Sequence, residues 1–389
     1  MKRILTLGLA CITFFTYKAQ AQERNRAITT ATPFLLIAAD ARAAGLADQG
    51  VATSADAFSQ QWNPAKYAFI KNKQGVGVNY TPYLSNLVND IFLGNVNYYN
   101  RLNERSAVAA SFRYFSLGDI EFRQGPNDEP NIQKPNELTL DISYALKLDE
   151  RFSMAVAGRY LRSDLRLQGP GNDASAAGSF GVDIAGFYRS DEIAFNSFNG
   201  RWRAGATISN IGPKIKYDDA GQENFIPTNF RLGGSFDFIF NEENRITPSL
   251  EISKLLVPTP LNPDANGDGE ITAEEQQAAN TEYNNKSAFG SIFSSWGDAP
   301  DGFSEELKEM TWALGAEYMY QDVFAFRAGY FNESEEKGAR KFLSLGAGFR
   351  YNIVNLDISY LFSTSAVKSP LEGTLRFGLS FNFGDEYYD

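Results

Sequence analysis

Histidine is absent from the 389 residues, and cysteine occurs once, as Cys11. Cys11 lies in an opening stretch, "MKRILTLGLACITFFTYKAQAQ", with the layout of a secretory signal. Lys2 and Arg3 form its basic end, Ile4 to Phe15 its apolar core, and Ala19-Gln20-Ala21 its small-x-small cleavage site. The expected signal peptide is therefore residues 1–21. A lipoprotein cysteine is the weaker reading, because Cys11 sits inside the apolar core and the cleavage site follows it. Cleavage after Ala21 leaves a mature chain with neither cysteine nor histidine. That excludes disulfides, thiol nucleophiles, the usual zinc sites and every Ser-His or Cys-His mechanism. Lys2, Arg3 and Lys18 go with the signal, so the net charge moves from −11 to −14. Such acidity disfavours nucleic acid as a partner. The mature chain also lacks an apolar run long enough for a transmembrane helix.

What is present points to strands. Phenylalanine (31), tyrosine (19) and glycine (33) are abundant, while mean hydropathy is only −0.32. Apolar and polar residues alternate with period two. In "GTLRFGLSFNFG", Leu375, Phe377, Leu379, Phe381 and Phe383 oppose Thr374, Arg376, Ser380 and Asn382. "VNLDISYLFS", "NFRLGGSFDFIF" and "ELTLDISYALKL" repeat the pattern. Fourteen such segments are expected, near 74–84, 91–102, 105–117, 137–148, 152–165, 179–190, 201–211, 229–240, 245–257, 309–320, 323–333, 340–351, 353–363 and 373–383. Connections after the even strands are mostly short ("NE", "DE", "NEEN", "QD"). Those after the odd strands are mostly longer, up to some fifty residues over 258–308. Short turns on one side, long loops on the other and an even strand count predict an all-β, 14-stranded antiparallel transmembrane β-barrel spanning 74–389.

Residues 22–73 do not alternate. Their Ala- and Gly-rich text predicts a plug packed in the lumen, in preference to a periplasmic extension. Lumen-facing Arg113, Asp141, Arg203, Asp237, Asp357 and Arg376 have mixed signs, which predicts an internal network holding that plug. Tyr98, Tyr99, Tyr144, Tyr360 and Trp202 are expected in the interfacial girdles. The terminal "DEYYD" is expected to extend past the last strand, in the periplasm.

Two local motifs stand out. "DANGDGEITAEE" offers Asp264, Asn266, Asp268, Glu270, Thr272 and Glu275 at calcium-loop positions 1, 3, 5, 7, 9 and 12, with Gly269 at position 6. Chance enrichment of turn residues is the alternative. The preceding "LVPTPLNP" cannot form an incoming helix, so the expected role is a Ca2+ staple for the longest loop rather than a helix-pair switch. Downstream, Phe289, Ile292, Phe293, Trp296 and Phe303 fall in the same loop. They are expected either to form a partner-binding surface or to pack on one another or fold into the barrel mouth.

The run "ADARAAGLADQGVATSADAFSQQWNPA" resembles the hatch of FadL-like outer-membrane barrels, through Ala-Arg-Ala-Ala-Gly (41–45), Ser-Ala-Asp-Ala (54–57) and Asn-Pro-Ala (63–65). Within that superfamily, "AITTATPFLLIAADARAAGLADQGVATS" is similar to the PorV family of the type IX secretion system. The resemblance implies an outer-membrane shuttle protein. Such proteins bind the SprA/Sov translocon barrel, collect substrates by their C-terminal signal domains and deliver them to the PorU sortase for attachment to lipopolysaccharide. It implies no enzyme activity for the barrel itself. A lipopolysaccharide O-deacylase activity has also been attached to the family, but a Ser-His-Asp esterase cannot be built without histidine. A FadL-like transporter of hydrophobic small molecules is the main alternative.

Overall fold

A computed structural model describes residues 26–123, 129–165, 175–217, 222–264, 266–366 and 368–387. The expected signal peptide and Cys11 lie outside the described residues. Fourteen strands form the wall: β1 (Asn72–Pro82), β2 (Ile91–Arg101), β3 (Ser106–Leu117), β4 (Asn136–Lys147), β5 (Phe152–Asp164), β6 (Ala177–Arg189), β7 (Asn199–Ile211), β8 (Asn229–Ile239), β9 (Asn244–Leu255), β10 (Thr311–Tyr320), β11 (Phe324–Asn332), β12 (Lys341–Tyr351), β13 (Val354–Ser363) and β14 (Leu375–Glu386). Each pairs antiparallel with its sequence neighbours, and β14 pairs with β1, so the sheet closes on itself. Closure leaves no edge strand, which a bilayer without hydrogen-bonding solvent requires.

Alternation sets what each face carries. Large apolar side chains stand uncovered on the outside, including Ile142 (69% exposed), Phe180 (68%) and Phe326 (57%). No water-facing sheet sustains such a surface; a hydrocarbon layer does. The inward face is polar or small: Asn79, Asn95, Asn97, Thr139, Ser143 and Thr207 are all buried. Tyr98, Tyr144 and Trp202 face outward as expected of girdle residues. Tyr99 does not. Its side chain is fully buried and stacks on Tyr67 at 5.5 Å, because period two sends it to the face opposite Tyr98. The last strand runs to Glu386, so Asp385 and Glu386 belong to the wall rather than to a tail.

The segment before β1 lies inside the ring, since it bonds to inward-facing groups all around it. The Ala41 N–H donates to Asn79 on β1 (3.0 Å), and Asn95 on β2 donates to the Ala39 carbonyl (2.9 Å). Ser143 on β4 reaches Gln60 (2.6 Å), Ser153 on β5 the Ala65 carbonyl (2.8 Å), and Thr207 on β7 the Trp62 carbonyl (3.1 Å). Glu251 on β9 accepts from the Gly50 and Val51 N–H groups, both at 2.9 Å, and Ser344 on β12 accepts from the Ala47 N–H (2.8 Å). Wall glycines make room for the plug backbone. A Cβ at Gly205 would lie 2.1 Å from the Val51 carbonyl oxygen, and one at Gly329 would lie 2.5 Å from the Leu46 carbonyl carbon.

Two apolar layers close the lumen. Near the long-loop end, Phe34 and Leu35 pack with Leu93, Phe115, Leu161 and Ile226. Near the short-turn end, Tyr67, Phe69 and Ile70 pack with Tyr99, Phe187 and a ring of wall alanines. Between them runs a chain of alternating charges. Asp56 and Glu317 flank Arg42 (2.6 and 3.0 Å), while Glu317 and Asp357 both accept from Arg327 (2.6 Å each). Glu317 is the hub, balancing a plug cation and a wall cation. Glu317→Ala leaves Arg42 with Asp56 and Arg327 with Asp357, so each buried arginine loses one of its two carboxylates, and the change is expected to cost about 3 kcal/mol. Urea unfolding in detergent, followed by loss of heat-modifiable migration, should show a clear drop in midpoint; an unchanged midpoint would remove Glu317 from this role.

Candidate functional site

The long loops gather at one mouth of the barrel, and the longest connects β9 to β10 over residues 256–310. After the plug's short α1 (Ala41–Ala44) and α2 (Ser59–Trp62), it carries three helices: α3 (Ala273–Asn285), α4 (Ala288–Ser294) and α5 (Phe303–Lys308). Such a loop would be mobile unless fixed from below, and a buried ionic cluster fixes it. Lys254, at the top of β9, donates to Glu306 (3.0 Å) and Glu309 (2.5 Å). Lys337, from the β11–β12 loop, donates to Glu305 (2.6 Å) and Glu309 (2.9 Å). Arg26, at the start of the described chain, bonds Glu305 through Nε (2.8 Å) and Nη2 (2.7 Å), and also pairs with Asp301. Thr259 Oγ1 donates to Glu309 Oε1 (2.5 Å), the oxygen that also accepts from Lys337. Glu305, Glu306, Glu309, Lys254 and Lys337 are all buried. Each charge is matched and hydrogen-bonded, which a buried charge needs in order to persist.

This clamp was not legible locally, since it joins residues 26, 254, 305 and 337. The available signal was partial: Lys254 interrupts the outward apolar run of Ile246, Leu250 and Ile252, and "FSEELKE" sets three glutamates against the single Lys308.

Above the clamp the loop presents apolar side chains. Phe293 is 81% exposed, Phe303 76% and Phe289 57%. Ile292 is half-buried, and Trp296 packs edge-on against Phe230 (5.5 Å) with the Lys254 ammonium 6.0 Å from its ring. The five expected surface residues therefore divide. Phe289, Phe293 and Phe303 face solvent, Ile292 is half-buried, and Trp296, still 46% exposed, leans on Phe230 of the wall.

The calcium-loop residues adopt tight turns. Gly267 and Gly269 have φ of 74° and 85°, and Asp264 accepts from their N–H groups at 2.7 and 3.2 Å. Asp268 accepts from Asn266 Nδ2 (2.9 Å) and from the Glu270 N–H (2.8 Å). Thr272 and Glu275 form a reciprocal capping box that starts α3, with Glu275 accepting from the Thr272 N–H at 3.0 Å. Glu275 is thus committed to a helix cap, and no group of three or more His, Cys, Asp or Glu side chains is arranged to hold a metal ion among the described residues.

The lumen network differs from expectation in part. Arg376 does reach the plug, at Asp48 (3.3 Å), and Asp357 joins the Arg42 chain through Arg327. Arg113 and Asp141 instead face each other at 3.7 Å, with Arg159 also on Asp141, and Arg203 pairs with Asp237. These pairs connect wall to wall. The stronger plug anchors, Glu251, Glu317 and Arg42, were not singled out from the sequence, although each sits at a lumen-facing or hatch position.

The clamp has a defined pH response. Burial alone would raise the Glu305 pKa, but bonds from Arg26 and Lys337 outweigh it and pull the carboxyl down to about 2, from 4.5. A depressed carboxylate contributes stability that is full above pH 4.5 and fades as pH falls towards 2. Proteolytic nicking of the 256–310 loop should stay slow from pH 7 to 5 and accelerate below 4.5. Glu305→Gln should show the fast rate already at pH 7, and equal rates for the two proteins there would refute the clamp.

Residues 19–262 match the family model "Type IX secretion system protein PorV". No curated protein sequence matches. Among solved structures, the TodX deltaS2S3 mutant monoaromatic hydrocarbon channel is 10% identical, with a TM-score of 0.50 over 88% of this chain and 98% of that one. The CymD monoaromatic hydrocarbon channel is 12% identical, TM-score 0.45, over 90% and 98% of the two chains. A Pseudomonas aeruginosa FadL homologue is 12% identical, TM-score 0.43, over 92% and 100%. At such identities the likeness is one of fold.

Proposed function

The chain belongs to the PorV family of the type IX secretion system, and from that premise we propose that it is a non-enzymatic outer-membrane shuttle. In this reading it binds the SprA/Sov translocon barrel and the C-terminal signal domains of secreted substrates, and hands those substrates to the PorU sortase and its lipopolysaccharide acceptor. The observation that carries the reading is the contrast between the two ends of the molecule's design. The lumen is filled by a hydrogen-bonded plug between two apolar layers, whereas the outer mouth holds a clamped loop with Phe289, Phe293 and Phe303 uncovered. Nothing needs to pass through such a barrel for it to work; proteins need only meet its outer face. Exposed aromatics on a rigid support are the side chains that dominate protein interfaces.

The transporter alternative would need a lumen pocket and a gap in the wall. Gly233 and Gly234, the glycine pair most suited to kinking a strand, stay in register with Gly205 and Ala204. Against an enzyme, the mature chain has no histidine or cysteine.

Phe293→Asp/Phe303→Asp tests the surface without touching the clamp. A tagged wild-type barrel, gently solubilised, is expected to co-purify with a giant translocon barrel and with cargo bearing C-terminal signal domains. The double variant should fold normally and lose at least one of them. Capture undiminished in the variant, or absent in the wild type, would count against the reading.

The 264–275 loop is proposed to take Ca2+ as a staple. Its donor types and spacing support this, with Glu275 exchanging its cap for the metal. Sites of this kind in extracellular modules bind at ~10⁻⁴–10⁻³ M. Titration calorimetry of the purified barrel with calcium should give saturable heat that vanishes in Asp264→Ala/Glu275→Ala. No heat from the wild type refutes it.

A further inference from the structure

The wall has an open depression on its lipid-facing side, about 480 Å³ in volume, lined by Leu314, Ala316, Ala328, Leu343, Leu345 and Phe362. Register explains it. Ala316 on β10 is paired with Ala328 on β11, and Ala328 with Leu345 on β12. Two adjacent outward positions at mid-wall therefore carry only a methyl group, ringed by leucines and a phenylalanine. Small outward residues also meet at Ala204–Gly234 and Ala206–Gly186, the latter covered by the Phe152 ring, 3.6 Å from a Cβ built at Gly186.

The plug accounts for the small residues on the inner face here, but not for those outside. A Cβ at Gly315 would lie 2.8 Å from Gln49 Nε2, and one at Gly329 would lie against the Leu46–Ala47 backbone. Ala316 and Ala328 point the other way and touch no part of the plug. An outward hollow at this depth is reached only by hydrocarbon, so its occupant is a lipid tail or an apolar partner surface.

What lies above the hollow favours a lipid. The outward row two positions nearer the long-loop end consists of Trp312, Asn332 and Lys341, directly paired across β10, β11 and β12. Lys341 is on the same strand and face as Leu343 and Leu345. Four residues separate Lys341 from Leu345, ~13 Å along a strand, the scale of an acyl chain hanging below its head group. An ammonium beside an amide at the membrane boundary, with an indole one strand further along the row, suits a phosphate head. The Lys341 ammonium now pairs with Glu335 at 2.8 Å, a carboxylate that is itself 78% exposed and easily exchanged. The row lies at the long-loop end, hence in the outer leaflet of an outer membrane, where the phosphate-bearing lipid is a lipid A-type glycolipid.

We propose that β10–β12 form a binding site for one lipid A-type molecule, with an acyl chain in the Ala316–Ala328 hollow and a phosphate on Lys341. The site is independent of the shuttle reading. Its test uses no secretion readout, so either can fail alone.

The experiment is native mass spectrometry of the full-length barrel purified from outer membranes after exhaustive detergent exchange, with the released lipid identified. Three variants accompany the wild type: Ala328→Trp to fill the hollow, Lys341→Gln to remove the charge, and Val182→Trp as an outward substitution on the opposite wall. Heat-modifiable migration checks folding in each. Wild type and Val182→Trp should retain one lipid A-type molecule, and Ala328→Trp and Lys341→Gln should lose it. A bare wild-type barrel, retention unchanged in Ala328→Trp or in Lys341→Gln, or a retained glycerophospholipid instead of lipid A would each overturn the assignment.

Discussion

Inside a bilayer the backbone has no solvent to bond to, and the whole structure follows from that constraint. The strands must close into a ring, and a ring of two-faced strands must put one face into lipid and the other into the lumen. Fourteen strands make a lumen too wide for wall side chains alone to fill. A second element must then meet the inward polar groups, or water must. Here it is the chain's own first segment, and the match is made largely through backbone atoms. Ser143, Ser153, Thr207, Ser235, Glu251 and Ser344 each bond a plug residue, mostly at a carbonyl or N–H. A non-helical segment at membrane depth is tolerable only when its backbone is satisfied in this way.

Charge is handled by the same logic. The Asp56–Arg42–Glu317–Arg327–Asp357 chain alternates in sign from plug to wall, so that no member is left alone. Such a chain adds little net stability over apolar packing, but breaking it anywhere is costly, and it therefore specifies one seating of the plug. The clamp at the outer mouth repeats the device for Arg26, Lys254 and Lys337 against Glu305, Glu306 and Glu309. The described chain thus begins at the outer mouth, descends through the lumen, and enters β1 at the short-turn end beside Arg101 and Ile70, which bond at 2.7 Å.

How much of this could be read from the sequence depends on the range of the interaction. Alternation is local and is imposed by two unlike solvents, so all fourteen strands were legible to within a few residues. Facing was legible too: Arg113, Asp141, Arg203, Asp237, Asp357 and Arg376 all sit on lumen-facing strand positions. Tyr99 was misread although the text beside it held the answer, since Val96 and Tyr98 face outward and parity sends Tyr99 in. Pairing partners were not legible, because they depend on cross-strand register. Asp141 lies opposite Ser111 on one side and Arg159 on the other, which no single strand reveals. The clamp lay furthest out of reach, built from four segments that only the closed barrel brings together.

The distribution of satisfied and unsatisfied surface then bears on what the molecule can do. Lumen, plug and clamp bury their polar groups and leave little freedom there, and elements that move are drawn from regions with few buried contacts. Phe289, Phe293 and Phe303 are different: α4 and α5 hold them out on a support whose underside is pinned by buried ion pairs. Holding apolar side chains in water is unfavourable, and pinning their support prevents the loop from collapsing to hide them. Rigid presentation also lowers the ordering cost of binding, because the helices are already placed when a partner arrives. The closed barrel that lipid requires is thereby joined to a rigid outer loop on which apolar side chains stay exposed.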